Sequence, residues 1–449
     1  MSGVLAASVD GRSFTTSEGE GAPTGTLVRL ETPEGAWLGL IEAVSPDGAE
    51  VGRVLGVLDG DGGLDQRSDA PFRNAHVRRA DAASVDALHR ASRATLDIGS
   101  MLASPGPAKL IGARFNRHTF WCGQSGSGKT YALGVVLEQV IAHTALPVVV
   151  FDPNSDFVRL GELREGVGGP DAAALAEREI RVLRPNGPDP LLVHFRSLPI
   201  EAKAAILRLD PVADAREFNT LLHSDEVATA LDKDTLLGQL RASEDPGRLA
   251  LATRIENLGM LEWEVWAGDR TPVNDIIAAR PDATVLDLGG FSTPEQQLVV
   301  ALSVLDELWE RREERRPVLL VIDEAHNLAS PRLDSAVAVA VRERLIQIAA
   351  EGRKFGLWLL LSTQRPSKVH PGIISQCDNL ALMKMSSPVD LEGLATYFGY
   401  APHELIDRSP WFRQGEALFA GGFVPAPALV KVNPRLTPEG GSDVGVPLR

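Results

Sequence analysis

The sequence predicts an α/β fold built around a phosphate-binding loop, with a small β-barrel ahead of it. Three observations carry this. Residues Gly123-Gln124-Ser125-Gly126-Ser127-Gly128-Lys129-Thr130 fill every fixed position of the pattern G-x-x-x-x-G-K-[ST]. Apolar strand-like runs recur at residues 147–152, 283–288, 317–322 and 357–362, separated by helical pattern. Residues 1–95 instead carry short alternating runs, Thr26-Leu27-Val28-Arg29-Leu30 and Ala49-Glu50-Val51-Gly52-Arg53-Val54-Leu55-Gly56-Val57, broken by turn signals such as Pro46-Asp47-Gly48.

Taken in order, the barrel over residues 1–95 is followed by residues 100–112, whose Pro105-Gly106-Pro107 suggests a connector. His118-Thr119-Phe120-Trp121-Cys122 reads as a short buried strand and residues 131–141 as a helix, which gives the strand, loop, helix order the loop chemistry requires. Glycines let the backbone curl so that successive N–H groups face the phosphates at a helix N-terminus. Lys129 is expected to reach the β- and γ-phosphates and Thr130 to ligate Mg²⁺, so the nucleotide-binding set runs from Gly123 to Tyr131.

A long insertion, residues 160–280, separates the first two core strands and holds helix-like stretches at 201–209 and 249–258. Trp263 and Trp266 lie close together there. Beside Leu261 and Val265, their spacing favours packing over stacking on bases.

The run Pro317-Val318-Leu319-Leu320-Val321-Ile322 reads as a buried parallel strand that delivers Asp323-Glu324. Asp323 is expected to hold Mg²⁺ and Glu324 to act as general base on the attacking water. His326 reads as a structural or coupling residue. The run Leu357-Trp358-Leu359-Leu360-Leu361 ends at Ser362-Thr363-Gln364-Arg365-Pro366-Ser367, at the sheet edge where open α/β sheets bind ligands, with Gln364 placed to sense the γ-phosphate. Arg353 and Arg365 have two readings. Cations near a helix C-terminus meet its dipole favourably, and either residue, reaching into a neighbouring subunit's site, is suited to act as an arginine finger.

These segments resemble the HerA family of ring-forming ATPases, within the HerA/FtsK group of additional-strand, catalytic-Glu P-loop motors. The resemblance rests on the phosphate loop, Val150-Phe151-Asp152-Pro153-Asn154-Ser155-Asp156-Phe157, Leu320-Val321-Ile322-Asp323-Glu324-Ala325-His326, and residues 351–367. Gln376-Cys377-Asp378-Asn379 and Gly415-Glu416-Ala417-Leu418-Phe419 also match the family's C-terminal segments, so it covers most of residues 100–433. Asn154-Ser155-Asp156-Phe157 stands where relatives often carry an HxGEY-like sequence. The resemblance implies a RecA-like P-loop ATPase core, using ATP and Mg²⁺, with an N-terminal β-barrel and a helical insertion. It divides the chain into a barrel (1–95), a first core part (96–159), the insertion (160–280), the remaining core (281–433) and a tail (434–449). It also implies a homohexamer with active sites between subunits, and a barrel that assists assembly and recruits a nuclease or other effector.

Composition limits the reading. A net charge of −15 argues against a protein coated with nucleic-acid-binding surface, yet a ring can confine its basic residues to a narrow channel. Arg332, Arg342 and Arg344 are candidates for that channel, or for a solvated helix face. No apolar run approaches membrane-spanning length and Met1-Ser2-Gly3-Val4 does not open a leader, so a cytoplasmic protein without membrane contact is expected. The two cysteines, Cys122 and Cys377, are too few for a disulfide framework, and Cys122 reads as core packing. Two functions follow from the resemblance. One is a motor that encircles and translocates double-stranded DNA, with a nuclease or effector, in end processing or antiphage defence. The other is an ATPase scaffold that activates an effector. FtsK-like and conjugative coupling pumps are a further alternative, disfavoured by the lack of membrane helices and of a C-terminal DNA-reading module.

Overall fold

The computed structural model describes residues 4–17, 21–223, 233–333 and 335–441. The readings of residues 1–3 as lacking a leader and of residues 442–449 as tail lie outside them. The chain forms two compact units, one of residues 1–144, 362–367 and 377–436, the other of residues 145–361, 368–376 and 437–449.

The first unit opens with the barrel. Strands β1 (Leu5–Ser8), β2 (Ser13–Thr16), β3 (Leu27–Thr32), β4 (Gly35–Val44), β5 (Glu50–Leu58) and β7 (Phe72–Arg79) run β2-β1-β7-β3-β4-β5, and β5 pairs back to β2 to close the ring. The short β6 (Leu64–Asp65) extends β5. Alternation drives this: Phe14, Leu30, Trp37, Ile41, Phe72 and Val77 turn inward to one core, each adding about 1.5–3 kcal/mol on burial. Phe14 fixes the seam. A Cβ on Gly52 would sit 2.5 Å from its ring and one on Gly39 2.7 Å, so both positions need glycine. The predicted alternating runs fall on β3 and β5.

The rest of this unit carries a sheet in the order β10 (His118–Cys122), β16 (Cys377–Leu382), β17 (Glu416–Gly421), β18 (Ala428–Val432), β8 (Leu96–Met101), β9 (Pro107–Leu110). β10 and β16 are parallel and the later pairs antiparallel. The expected connector at 100–112 is instead mostly a hairpin: Pro105-Gly106 makes its turn and β9 begins at Pro107. A proline is tolerated there because the first residue of an edge strand needs no ladder N–H.

The second unit holds a parallel sheet in the order β12 (Ile180–Leu183), β13 (Ala283–Asp287), β11 (Val148–Asp152), β14 (Val318–Ile322), β15 (Leu357–Thr363); the last two residues of β15 belong to the first unit. Every residue of β11, β13 and β14 is buried, as continuous apolar runs covered on both faces require. The four predicted core strands are β11, β13, β14 and β15. The insertion is not wholly helical. It contributes β12 to the sheet edge before helices such as Ile200–Ile206 and Pro246–Leu258.

Candidate active site

In the first unit, β10 leads into the loop and the loop into helix Lys129–His143. Gly126 and Gly128 adopt φ of +75° and +83°, the left-handed region that glycine enters without Cβ strain. Gly128 caps the helix, and a Cβ on Gly123 would meet Met383 and Ser127 at 2.8 Å. Neighbouring backbone pins the loop: Gly123 N donates to Thr363 O (3.3 Å), Gln124 N to Lys384 O (2.8 Å) and Gly415 N to Ser127 O (3.0 Å). Lys129 is 5% exposed, and its Nζ donates to Ser362 Oγ at 2.7 Å. Ser125 and Gly126 stay exposed, Thr130 and Tyr131 half-buried, and the Tyr131 hydroxyl accepts from Arg435 N (2.8 Å). The buried Ser127 hydroxyl has no hydrogen-bond partner among the described residues. A buried ammonium beside a neutral hydroxyl, with an orphaned donor in the same loop, fits an anionic phosphate.

The same unit holds the segment after β15. Gln364 is half-buried and Arg365 exposed; Arg365 N donates to Thr363 Oγ1, and its guanidinium makes no ion pair among the described residues. Since Gly123 bonds Thr363, the loop and the Gln364-Arg365 pair are brought together.

In the second unit, register places carboxylates side by side. Phe151 pairs with Ile322 and Asp152 with Asp287, so Asp287, Asp152 and Asp323 stand at the carboxyl ends of neighbouring strands. Asp152, Asp156 and Asp323 each offer an oxygen within 4.8 Å of the others. Asp152 is completely buried. It accepts from Asp156 N (2.9 Å) and Phe157 N (2.7 Å), yet burial pushes its carboxyl up to about 7. Ser155, at φ +60°, turns the chain so that its hydroxyl donates to Asp287 Oδ1 (2.7 Å). Three hard oxygen ligands, two of them buried and one half-buried, fit a divalent cation such as Mg²⁺. Asp323, read from the sequence as a metal residue, thus gains two partners the sequence reading had not assigned to metal. The signal was available in Asp152, an acid closing a buried strand, and in Asp156 four residues later.

Glu324 is 4% exposed and sits at φ +44°, a left-handed conformation costing a non-glycine residue about 1–3 kcal/mol. His326 Nδ1 lies 3.2 Å from Glu324 Oε2, so the coupling role expected of His326 has a geometric basis. Arg353 is half-buried in the turn Gly352–Phe355, after helix Ala336–Glu351. Of the three channel candidates, Arg344 is taken up by structure: its Nε bonds Asp306 Oδ1 at 2.7 Å and it lies 5.8 Å from the Trp309 ring. Arg342 pairs with Glu343 at 2.7 Å, which leaves Arg332 as the exposed one. Cys122 is buried, and desolvation pushes its thiol far up, as packing implies.

A strand, glycine loop and helix on an α/β core with carboxylates at its strand ends define a RecA-like P-loop ATPase, an ATP-hydrolysing enzyme. Within that class the chain is similar to HerA helicases. Residues 96–307 match the family described as "Helicase HerA, central domain". The DNA double-strand break repair helicase HerA of Pyrococcus furiosus is 24% identical over 436 aligned positions, covering 85% of this chain and 76% of that protein. The protein of that name from Sulfurisphaera tokodaii is 33% identical over 117 residues, 26% of this chain and 23% of its own. Two solved structures share the fold at a TM-score of 0.50 and 14% identity: VirB4 of Thermoanaerobacter pseudethanolicus, covering 76% of this chain and 96% of its own, and the conjugative coupling protein TrwB lacking its first 70 residues, covering 79% and 93%. Among the described residues no helix is long and apolar enough to cross a membrane.

Proposed function

We propose that this protein is an ATP-driven motor that translocates double-stranded DNA. The observation that supports it best is the presence of a phosphate loop with a buried Lys129 and of a carboxylate set ending in a strained Glu324, in a chain similar to HerA helicases. In this reading residues 123–131 hold ATP, and Lys129 bears on its β- and γ-phosphates. Thr130 and Asp323, with Asp152 and Asp156, hold Mg²⁺, which neutralises phosphate charge when bound. Glu324 takes the proton of the attacking water, with His326 orienting its carboxylate, and Gln364 senses the γ-phosphate.

The protein works as a homohexamer in the cytoplasm. Arg365, exposed beside the loop segment and without an ion pair among the described residues, supports a finger acting on a neighbouring subunit's ATP better than half-buried Arg353 does. The closed barrel recruits a nuclease or another effector for DNA end processing or defence.

Steady-state ATP hydrolysis with and without linear duplex DNA, with Glu324→Gln as blank, tests the reading. Strong stimulation by duplex is expected. Turnover indifferent to DNA would overturn the motor and leave an ATPase scaffold that activates its partner.

A further inference from the structure

We infer that a cavity in the helical insertion binds one unpaired nucleotide of a nucleic-acid strand, with the base on Trp263 and the phosphodiester at Arg196 and Arg270. The cavity measures about 410 Å³ and is lined by Phe195, Leu236, Ile255, Met260 and the two tryptophans, with His194, Arg196, Asp269 and Arg270 around them. That size lies in the range of small-ligand pockets.

The structure divides the two tryptophans, for which packing was the expected role. Trp266 packs: its Nε1 donates to Met260 O at 2.6 Å, Phe195 meets it edge-on at 5.4 Å, and on either side of it Val193 N donates to Val265 O and Ala267 N to Val193 O. Trp263 stacks on Trp266 at 6.1 Å and 12°, stays half-exposed and lines the cavity. Trp266 therefore holds Trp263 flat, which makes a rigid platform for one ring. A paired base has both faces covered by its neighbours in the duplex; an unpaired base offers a free face to such a platform.

The charges fit a single phosphodiester. Arg196 is exposed, and its guanidinium has no partner among the described residues. Its segment is anchored by Lys203 Nζ, which donates to Arg196 O at 3.1 Å. Arg270 already donates to the carbonyls of Ala267 and Trp266, and Asp269 adds a negative charge to the lining. This is too few free donors for a triphosphate and enough for one phosphate in a strand.

The test is binding of fluorescein-labelled oligothymidylate to the full chain without ATP, by anisotropy, so that the outcome does not depend on hydrolysis. Trp263→Ala should weaken binding roughly 10- to 100-fold, the cost of one lost stack, while Trp263→Phe keeps most of it. Arg196→Glu, at an exposed position that spares the fold, should weaken binding and lower the salt slope by about one. Thermal melting confirms that each variant is folded. Unchanged affinity in Trp263→Ala and Arg196→Glu would overturn the proposal, as would no oligothymidylate binding by the wild type. Displacement of the oligonucleotide from Lys129→Ala protein by free ATP would also overturn it, by giving the pocket to a mononucleotide.

Discussion

The phosphate-loop region and the acidic strand ends treat charge in opposite ways. Around the loop one buried ammonium, Lys129, faces a neutral hydroxyl, and the anchors are backbone hydrogen bonds. At the ends of β11 and β14 three carboxylates, those of Asp152, Asp156 and Asp323, crowd a space where burial raises the Asp152 carboxyl to about 7. The loop presents an ammonium and backbone donors, whereas the strand ends present clustered carboxylates. The difference suits each region to the ligand proposed for it, phosphate for the first and a cation for the second.

Substitutions that act on one region should leave the other's ligand in place, and this sharpens the contrast. The largest effect is expected from Arg365→Ala. If its guanidinium acts in trans, hydrolysis falls about 10³- to 10⁵-fold with ATP still bound, and mixing with Lys129→Ala subunits restores turnover. An unaffected rate, measured by phosphate release, would move the finger to Arg353. Glu324→Gln follows, with hydrolysis reduced about 10²- to 10⁴-fold and binding of a fluorescent ATP analogue retained. Retained turnover would remove Glu324 as base. Lys129→Ala should show the reverse order of loss, binding before chemistry.

Arg435→Ala acts only within the loop unit. Arg435 is fully buried, with Nε 3.4 Å from Glu138 Oε1 on the helix that begins at Lys129, while Leu436 N donates to Glu138 Oε2 at 2.9 Å. Removing it leaves Glu138 buried without its cation, at a cost of about 3–5 kcal/mol. The urea midpoint reads this, and an unchanged midpoint would show that the pair contributes little. The smallest change is expected from Asp152→Asn, which takes one oxygen anion from the carboxylate set. The Mg²⁺ concentration for half-maximal hydrolysis should rise about 10- to 100-fold. No rise would place Asp152 outside the metal's reach.

Much of this was legible because the chemistry is local in sequence. The loop needs eight consecutive residues, and β11, β13, β14 and β15 announce themselves as apolar runs ending in polar groups. What stayed hidden depends on register or distant contact. Nothing near Asp152 says that Phe151 pairs with Ile322 and so brings Asp152 beside Asp323. Nor does the loop sequence reveal that Ser362, more than 200 residues away, receives the Lys129 proton donor. The connector was misread because proline and glycine signal a turn without saying whether strands flank it. Arg344 looked available for DNA because its partner Asp306 lies on another helix.

The fully buried Arg435 also bears on the order in which this chain matures during synthesis. The barrel's closing pairs lie within the first 79 residues, so it can form while most of the chain is still being made. The helix behind the phosphate loop emerges early as well, but Gly134 and Glu138 on it wait for an arginine about 300 residues later, packed so closely that a Cβ on Gly134 would lie 2.4 Å from its Nε. A ribosome-bound chain therefore presents a finished barrel well before it presents a finished nucleotide site. The surface of the barrel is therefore complete on a nascent chain before that chain is able to hydrolyse ATP.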